Sequence, residues 1–285
     1  MAEELEVKLT LPSESMDQAF EWLSGQPEAS PGSTSQLINH YYDTPTADLN
    51  RQRIALRVRQ SGDHYIQTLK TQGDFVDGAH RRQEWEWPLL GTQLNIGLVA
   101  DTPVGQDINL AKLEPVFETN FERRVLMLDD GRAVIECAFD RGSIIAGDRK
   151  QPLNEVEFEL KSGDADRLTV WAAGLAQHIS VFFNLVSKAE QGYYLAGIHE
   201  PSKLKGEADA TTKLFHSLSI AWLTEANPKQ LLDKLQNVKS RAGSRGASKA
   251  WNWLNDALVS GDSVRSLVGD PLLGQLQAAL LKAEL

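Results

Sequence analysis

The chain has 285 residues, room for one large domain or for a domain of ordinary size with a smaller companion. Hydrophobic residues at 41% and charged residues at 24% describe a globular chain with a sizeable core, and no apolar run reaches the roughly 18 residues of a transmembrane helix. A formal net charge of −10 excludes general nucleic-acid binding, and the single Cys137 excludes an intrachain disulfide or a multi-cysteine zinc site.

The opening segment, MAEELEVKLT, is acidic and lacks a signal-peptide layout, so a cytoplasmic protein with no membrane partner is expected. Period-two alternation over 4–9 predicts a strand, and the spacing of Met16, Ala19, Phe20 and Leu23 predicts a helix. Further strand-like runs cover 38–43, 54–60, 64–70, 82–87, 117–127, 133–140 and 153–160. Turns such as Ser61-Gly62-Asp63 and Asp129-Asp130-Gly131 join several of them. A long helix is predicted over 164–178 with Asp164 as its N-cap. Antiparallel strands dominate, which points to a sheet or a barrel.

After a linker at 201–210 the spacing in 211–285 is helical only: Leu214, Leu218, Ala221 and Trp222, then Leu231, Leu235 and Val238, then Trp251, Leu254 and Leu258. Asn227-Pro228 and Asp270-Pro271 read as an N-cap followed by proline at the first helical position. Four short helices in an all-α appendage are expected, with a loop over Ser240–Ser248 that lacks the residue order of a P-loop.

The face on which each strand carries its charge is the informative feature. Glu4, Glu6 and Lys8 oppose Leu5, Val7 and Leu9; Arg57 and Arg59 oppose Leu56 and Val58. Thr68 and Lys70 share a face, as do Arg82, Glu84 and Glu86; Glu136 and Asp140 oppose Ile135, Cys137 and Phe139. Glu155, Glu157 and Glu159 alternate with Val156, Phe158 and Leu160. One such strand alone is an ordinary strand with its charges toward water. Here like charges recur about 7 Å apart on successive strands and repel unless counter-ions intervene. The repetition predicts charged faces turned toward each other around a lumen, with apolar outer faces covered by helices. Carboxylates would hold a hard cation such as Mg²⁺ or Mn²⁺, and Arg and Lys would grip a polyanion. Arg124 and Lys161 are expected outside the lumen; Glu86 and Glu136 are inward without an assigned role.

The chain resembles the CYTH family, the triphosphate tunnel metalloenzymes. Glu4-Leu5-Glu6-Val7-Lys8 matches the family's opening signature. It is followed in order by Tyr41-Tyr42-Asp43-Thr44, Ala55-Leu56-Arg57-Val58-Arg59, Thr68-Leu69-Lys70 and Arg82-Gln83-Glu84. Then come Arg123, Asp140-Arg141-Gly142, Glu155-Val156-Glu157 and Ser187-Lys188. The resemblance covers 1–200 and is nearest to bacterial inorganic triphosphatases that carry a helical domain after the CYTH domain. It implies an α+β fold, a closed antiparallel β-barrel with covering helices followed by a small all-α bundle. It also implies hydrolysis of inorganic tripolyphosphate to diphosphate and phosphate, with two divalent ions. Glu4, Glu6, Asp140, Glu155, Glu157 and Glu159 would be the metal ligands. Lys8, Arg57, Arg59, Lys70, Arg82, Arg123 and Lys188 would bind the triphosphate, and Glu84, Lys8 and Arg59 would carry catalysis.

Thiamine triphosphatase and a non-catalytic polyphosphate or nucleotide binder are the alternatives. Many cyclases of the family carry a His-Phe pair before the opening signature, and here only Met1, Ala2 and Glu3 precede it, so cyclase activity is not expected. The six histidines form no metal spacing. Of the tryptophans, Trp85 and Trp87 fall on an apolar strand face, and Trp171, Trp222, Trp251 and Trp253 fall in helical patterns, so core packing is expected for them. Residues 211–285 are shorter than the histidine-rich helical domain that often ends related proteins, and their role is open.

Overall fold

The computed structural model describes residues 2–71, 74–76, 79–198, 204 and 208–281, without the side chains of residues 2, 3, 74–76 and 80–82. Its strands are β1 (Ala2–Thr10), β2 (Ala29–Asp43), β3 (Ala55–Ser61), β4 (His64–Lys70) and β5 (Asp74–Val76), then β6 (Ala79–Leu89), β7 (Glu114–Asp129), β8 (Ala133–Ala146), β9 (Arg149–Gly163) and β10 (Phe182–Phe183). They form one sheet in the order β10-β1-β9-β8-β7-β2-β3-β4-β6-β5. The sheet curls until β1 also pairs with β6, with Glu4 opposite Arg82. The ring β1-β9-β8-β7-β2-β3-β4-β6 is therefore closed and antiparallel throughout, as the charge pattern predicted. β1 manages both neighbours by stagger, since residues 2–6 face β6 and residues 6–10 face β9.

Several strands outrun their predicted spans. β2 begins nine residues before the expected 38, because its first half, Ala29–Gln36, is polar and mostly exposed and shows no hydrophobic alternation. That half is held by the ladder to β7 instead.

The outer face is apolar and covered in two patches. On one, Val7, Leu9, Ile135, Phe139, Val156 and Phe158 pack beneath α1 (Ser15–Ser24) and α4 (Asp166–Leu175). On the other, Leu56 and Leu69 with Trp85 and Trp87 pack against Leu49 of α2 (Asp48–Arg51) and Val99 of α3 (Ile96–Ala100). Asp164 does not cap α4 as expected. Its carboxylate accepts from Arg132 Nε and Nη2 at 3.1 and 2.8 Å, and Ala165 takes the cap position without a side-chain bond.

The inner face is not wholly ionic. Leu37, Tyr41, Phe117, Phe121, Ile144 and Leu153 share the inward parity of the charged residues yet form an apolar cluster of their own. Tyr193 of α5 (Lys188–Ala196) completes it, its ring 5.1 Å from that of Phe117. This apolar end of the lumen was not anticipated, because parity tells inside from outside but gives no position along the barrel.

The C-terminal region holds α6 (Ala210–Thr224), a 3-10 turn (Pro228–Leu231), α7 (Leu232–Gln236), α8 (Lys239–Ser244), α9 (Ser248–Ser260), α10 (Val264–Leu267) and α11 (Pro271–Leu281). Four helices were expected; the helical run is instead broken into more, shorter pieces. The stretch expected as a loop is largely α8, whose Ala242 is buried, with a turn at Gly246, φ +73°. Asn227 and Asp270 do cap as expected, accepting from the amides of Lys229 and Leu272 at 3.0 and 2.9 Å. Most of the linker at 201–210 lies outside the described residues. Among the described residues, no helix is long and apolar enough to cross a membrane.

Candidate functional site

Register assembles the lumen. Asp140 on β8 lies opposite Arg123 on β7 and Glu155 on β9, while Glu157 lies opposite Lys8 on β1. Arg123 bonds Asp140 through Nε at 2.7 Å and Nη2 at 2.6 Å, and its Nη2 also reaches Glu157 at 2.8 Å. One oxygen from each of Asp140, Glu155 and Glu157 lies within 4.8 Å of the others. Into this cluster projects Lys188, at 2.8 Å from both Asp140 and Glu157 and in contact with Glu155.

Local sequence explains why Lys188 can do this. Ser187 and Glu190 form a capping box, each side chain bonded to the other's backbone, and α5 starts at Lys188. Gly192, one turn on, faces Phe117 so closely that an added Cβ would meet the ring at 2.0 Å. A glycine there lets the helix sit down on the apolar end of the lumen.

The charges are strongly coupled. Burial alone would drive Lys188 toward its neutral form, but Asp140, Glu155 and Glu157 outweigh it and hold the ammonium well above its ordinary value. Burial likewise opposes the charge of Glu157, and Lys188 and Arg123 overcome it, keeping this carboxyl well below its usual range. Glu155 is pushed up, because its burial exceeds the help from Lys188 and Lys8.

Across the lumen lies a second, cationic wall. Arg57 and Arg59 project inward from β3 beside Tyr41 and Asn39 of β2. Burial, then the like charges of Arg57 and Arg123, pushes Arg59 down to about 9. Burial would raise the Tyr41 phenol, but Arg57 and Arg59 bring it below its ordinary value. Buried Arg57 Nε and Thr119 Oγ1 find no hydrogen-bond partner on this wall.

The other expected residues sort as follows. Lys70 bonds Glu4 at 2.8 and 2.9 Å and approaches Glu84 at 3.2 Å, joining β4, β1 and β6. Glu6 is buried on the same inward face of β1, and Lys8 donates to the carbonyl of Val186. Thr68 donates to Glu86 at 3.4 Å. Glu159 stands apart from the carboxylate cluster and pairs with Lys161 at 2.8 Å. Lys161 was expected outside the lumen. It lies instead beside Glu159 and Glu136, because it is two residues beyond Glu159 on one strand and keeps the same parity. Arg124 is outside as expected, over the Phe20 ring at 3.5 Å from its centroid. The side chain of Arg82 lies outside the described residues.

Parity reasoning missed Asn39, Tyr41 and Thr119, since uncharged residues carry no ionic signal. The other matched motifs gain structural meanings. Asp43 accepts from the amides of Thr44, Leu49 and Asn50 and so closes the turn after β2. Gly142 leaves room for Phe121, whose Cβ an added methyl would meet at 2.5 Å.

A donor set made only of carboxylate oxygens, close enough to share one ion, fits a hard divalent cation. Lys188 shows that this position takes a cation.

The chain is similar to several known proteins. An inorganic triphosphatase of Haemophilus influenzae is 40% identical over 161 residues, which are 56% of this chain and 46% of that protein. The match thus spans less than half the length of that curated relative. Solved structures of a putative adenylyl cyclase from Hippeastrum (18% identity, TM-score 0.49, 70% of this chain and 98% of the other) and of a putative adenylate cyclase from Bacillus halodurans (15%, 0.39, 72% and 97%) are more distant likenesses. The family model described as the CYTH domain matches residues 2–193, so this chain belongs to the CYTH family.

Proposed function

We propose that the chain hydrolyses inorganic triphosphate to diphosphate and phosphate inside the barrel, with the reaction assigned to residues 1–200 and the helices of 211–285 acting as a buttress. The observation that carries this reading is the division of the lumen into a carboxylate pole and an arginine wall on which Arg59 keeps no carboxylate in ion-pair contact among the described residues. The triphosphatase name of the Haemophilus influenzae relative supports it.

Arg57 and Arg59 present guanidinium groups to phosphate oxygens, where planar donors and full charge stabilise the equatorial oxygens of the phosphoryl group in transfer. Lys8, Lys70 and Arg123 add positive potential, and Lys188 sits among the carboxylates. Glu84, paired with Lys70, would orient a metal-bound water or a basic side chain. Among these described side chains there is no Ser, Cys or His, which favours direct attack by water. Asp140, Glu155 and Glu157, with Glu4, Glu6 and Glu159 nearer the β1 side, would hold Mg²⁺ or Mn²⁺. A bound ion supplies Lewis-acid stabilisation of phosphoryl charge.

The test is a substrate panel of tripolyphosphate, ATP and thiamine triphosphate, each assayed with and without divalent metal. Phosphate release should be metal-dependent and fastest from tripolyphosphate. Preferred conversion of ATP to a cyclic product would overturn the reading.

A further inference from the structure

The cations of the lumen fall into two classes by the partner each one keeps. Lys70 is held by Glu4 and Glu84, Arg123 by Asp140 and Glu157, and Lys188 by three carboxylates. Arg59 has no carboxylate in ion-pair contact among the described residues. Its Nε donates instead to Asn39 Oδ1 at 2.7 Å, across the β2–β3 ladder.

Asn39 is fully buried, and its other end is committed too, since Nδ2 donates to the carbonyl of Thr119 at 2.8 Å. That second bond fixes which way the amide points. The Nδ2 side must face Thr119, so the carbonyl side must face the guanidinium. An aspartate in this place would meet Arg59 as well but would set a second carboxylate oxygen against the Thr119 carbonyl. It would also cancel the guanidinium charge.

Only Nε is used by the protein; both terminal nitrogens of Arg59 are left without a partner among the described residues. The neighbouring Arg57 lies opposite the uncharged Tyr41, to which it is hydrogen-bonded, while its buried Nε has no partner among the described residues. Strand β2 therefore offers neutral groups at successive inward positions, opposite the arginines of β3.

We propose that Asn39 is a positioning residue that orients the Arg59 guanidinium through Nε while leaving its charge and both terminal nitrogens for a phosphate group of the substrate. This rests on the triphosphatase reading above for the identity of the anion. The crowded, desolvated state of Arg59 fits it, because a cation beside Arg57 and Arg123 gains most from an incoming anion.

The experiment is a double-substitution cycle in the full chain: wild type, Asn39→Ala, Arg59→Gln, and both together. Calorimetric titration with tripolyphosphate in chelator gives affinity, and steady-state assays with Mg²⁺ give kcat and KM. If Asn39 acts through Arg59, Asn39→Ala should lower kcat roughly tenfold in the wild-type background and hardly at all once Arg59 is Gln. Asn39→Asp should weaken tripolyphosphate binding by about tenfold or more and flatten its salt dependence, since one cation is neutralised in place. Effects that simply add across the cycle would make Asn39 a structural residue and overturn the proposal. So would wild-type affinity in a folded Asn39→Asp protein, and if that variant fails to fold the cycle alone decides. A wild type that binds tripolyphosphate without hydrolysing it would sink the enzymatic reading and leave Asn39 to be judged on affinity. A wild type that binds none would sink both.

Discussion

At the scale of single residues, Lys188 is the most consequential group in the lumen. Three carboxylates converge on one ammonium; Asp140, Glu155 and Lys188 are buried, and Glu157 is partly so. Replacing Lys188 with Met removes the counter-charge and leaves the carboxylates facing each other. Breaking a buried pair from one side costs about 3 kcal/mol or more, so the metal-free variant should melt well below wild type. A divalent ion can repay that charge, so Mn²⁺ should raise the variant's melting temperature more than wild type's. Equal Mn²⁺ responses in the two proteins would show that the cluster is not where the ion binds. Sequence parity placed Asp140, Glu155 and Glu157 on the inward face. Their convergence on a residue from the start of a helix was legible only as part of a matched motif.

At the scale of elements, α5 and the β7–β8 hairpin each hang on one detail. α5 reaches the lumen because Gly192 sits against Phe117. Gly192→Ala would force the helix outward at a cost of about 1–3 kcal/mol and carry Lys188 with it. Denaturant midpoint and activity should therefore fall together, and an unchanged turnover would separate the helix from the site.

In the hairpin, Asp130 accepts from Arg167 Nε at 2.7 Å, from Trp171 Nε1 at 2.9 Å and from the amides of Arg132 and Ala133 at 3.0 Å. Burial acts to raise this carboxyl, but those bonds win and hold it below its usual value. A depressed carboxyl contributes stability above its unfolded pKa of about 3.9 and loses it as pH falls toward the folded value. Asp130→Asn should thus be less stable than wild type at neutral pH, with the gap narrowing in acid. A gap that stays constant down to pH 2 would rule out this carboxylate as the cause. The sequence marked Asp129-Asp130-Gly131 as a turn, but its anchorage to α4 depends on residues more than thirty positions away.

For the whole molecule, the barrel and the C-terminal helices share a single apolar cluster. Leu214, Phe215, Leu276 and Leu280 belong to it along with Val7, Val156, Phe158 and Phe183. Gln277 of α11 bonds both the amide and the carbonyl of Phe183, at 2.9 and 3.0 Å, completing the edge of β10. Ser219 of α6 accepts from the amide of Leu185 at 2.9 Å. A self-contained barrel would retain activity after removal of 206–285. These contacts predict the opposite: truncation should expose buried Val181, Phe182 and Phe183 and give a protein that aggregates or melts far lower. Solubility, thermal melts and turnover of the truncated chain would decide, and a soluble, active barrel would refute the buttress role.

Strand faces are a local property, because side chains alternate with period two whatever the fold. The sequence by itself therefore determined that the ionic sides of β1, β3, β4, β6, β8 and β9 turn one way and the apolar sides another, and the ordered motifs identified the family. It also determined most elements, missing those without a periodic signal, such as β10, the polar half of β2 and the pieces of the C-terminal run. Tertiary structure alone decided which strands became neighbours, how far along the barrel each charge falls, and which cations received carboxylates. Those outcomes follow from register and closure, which are set by contacts between residues distant in the chain. That is why an uncharged Asn39 beside Arg59, and a lysine from α5 among three carboxylates, emerged only once the sheet had closed.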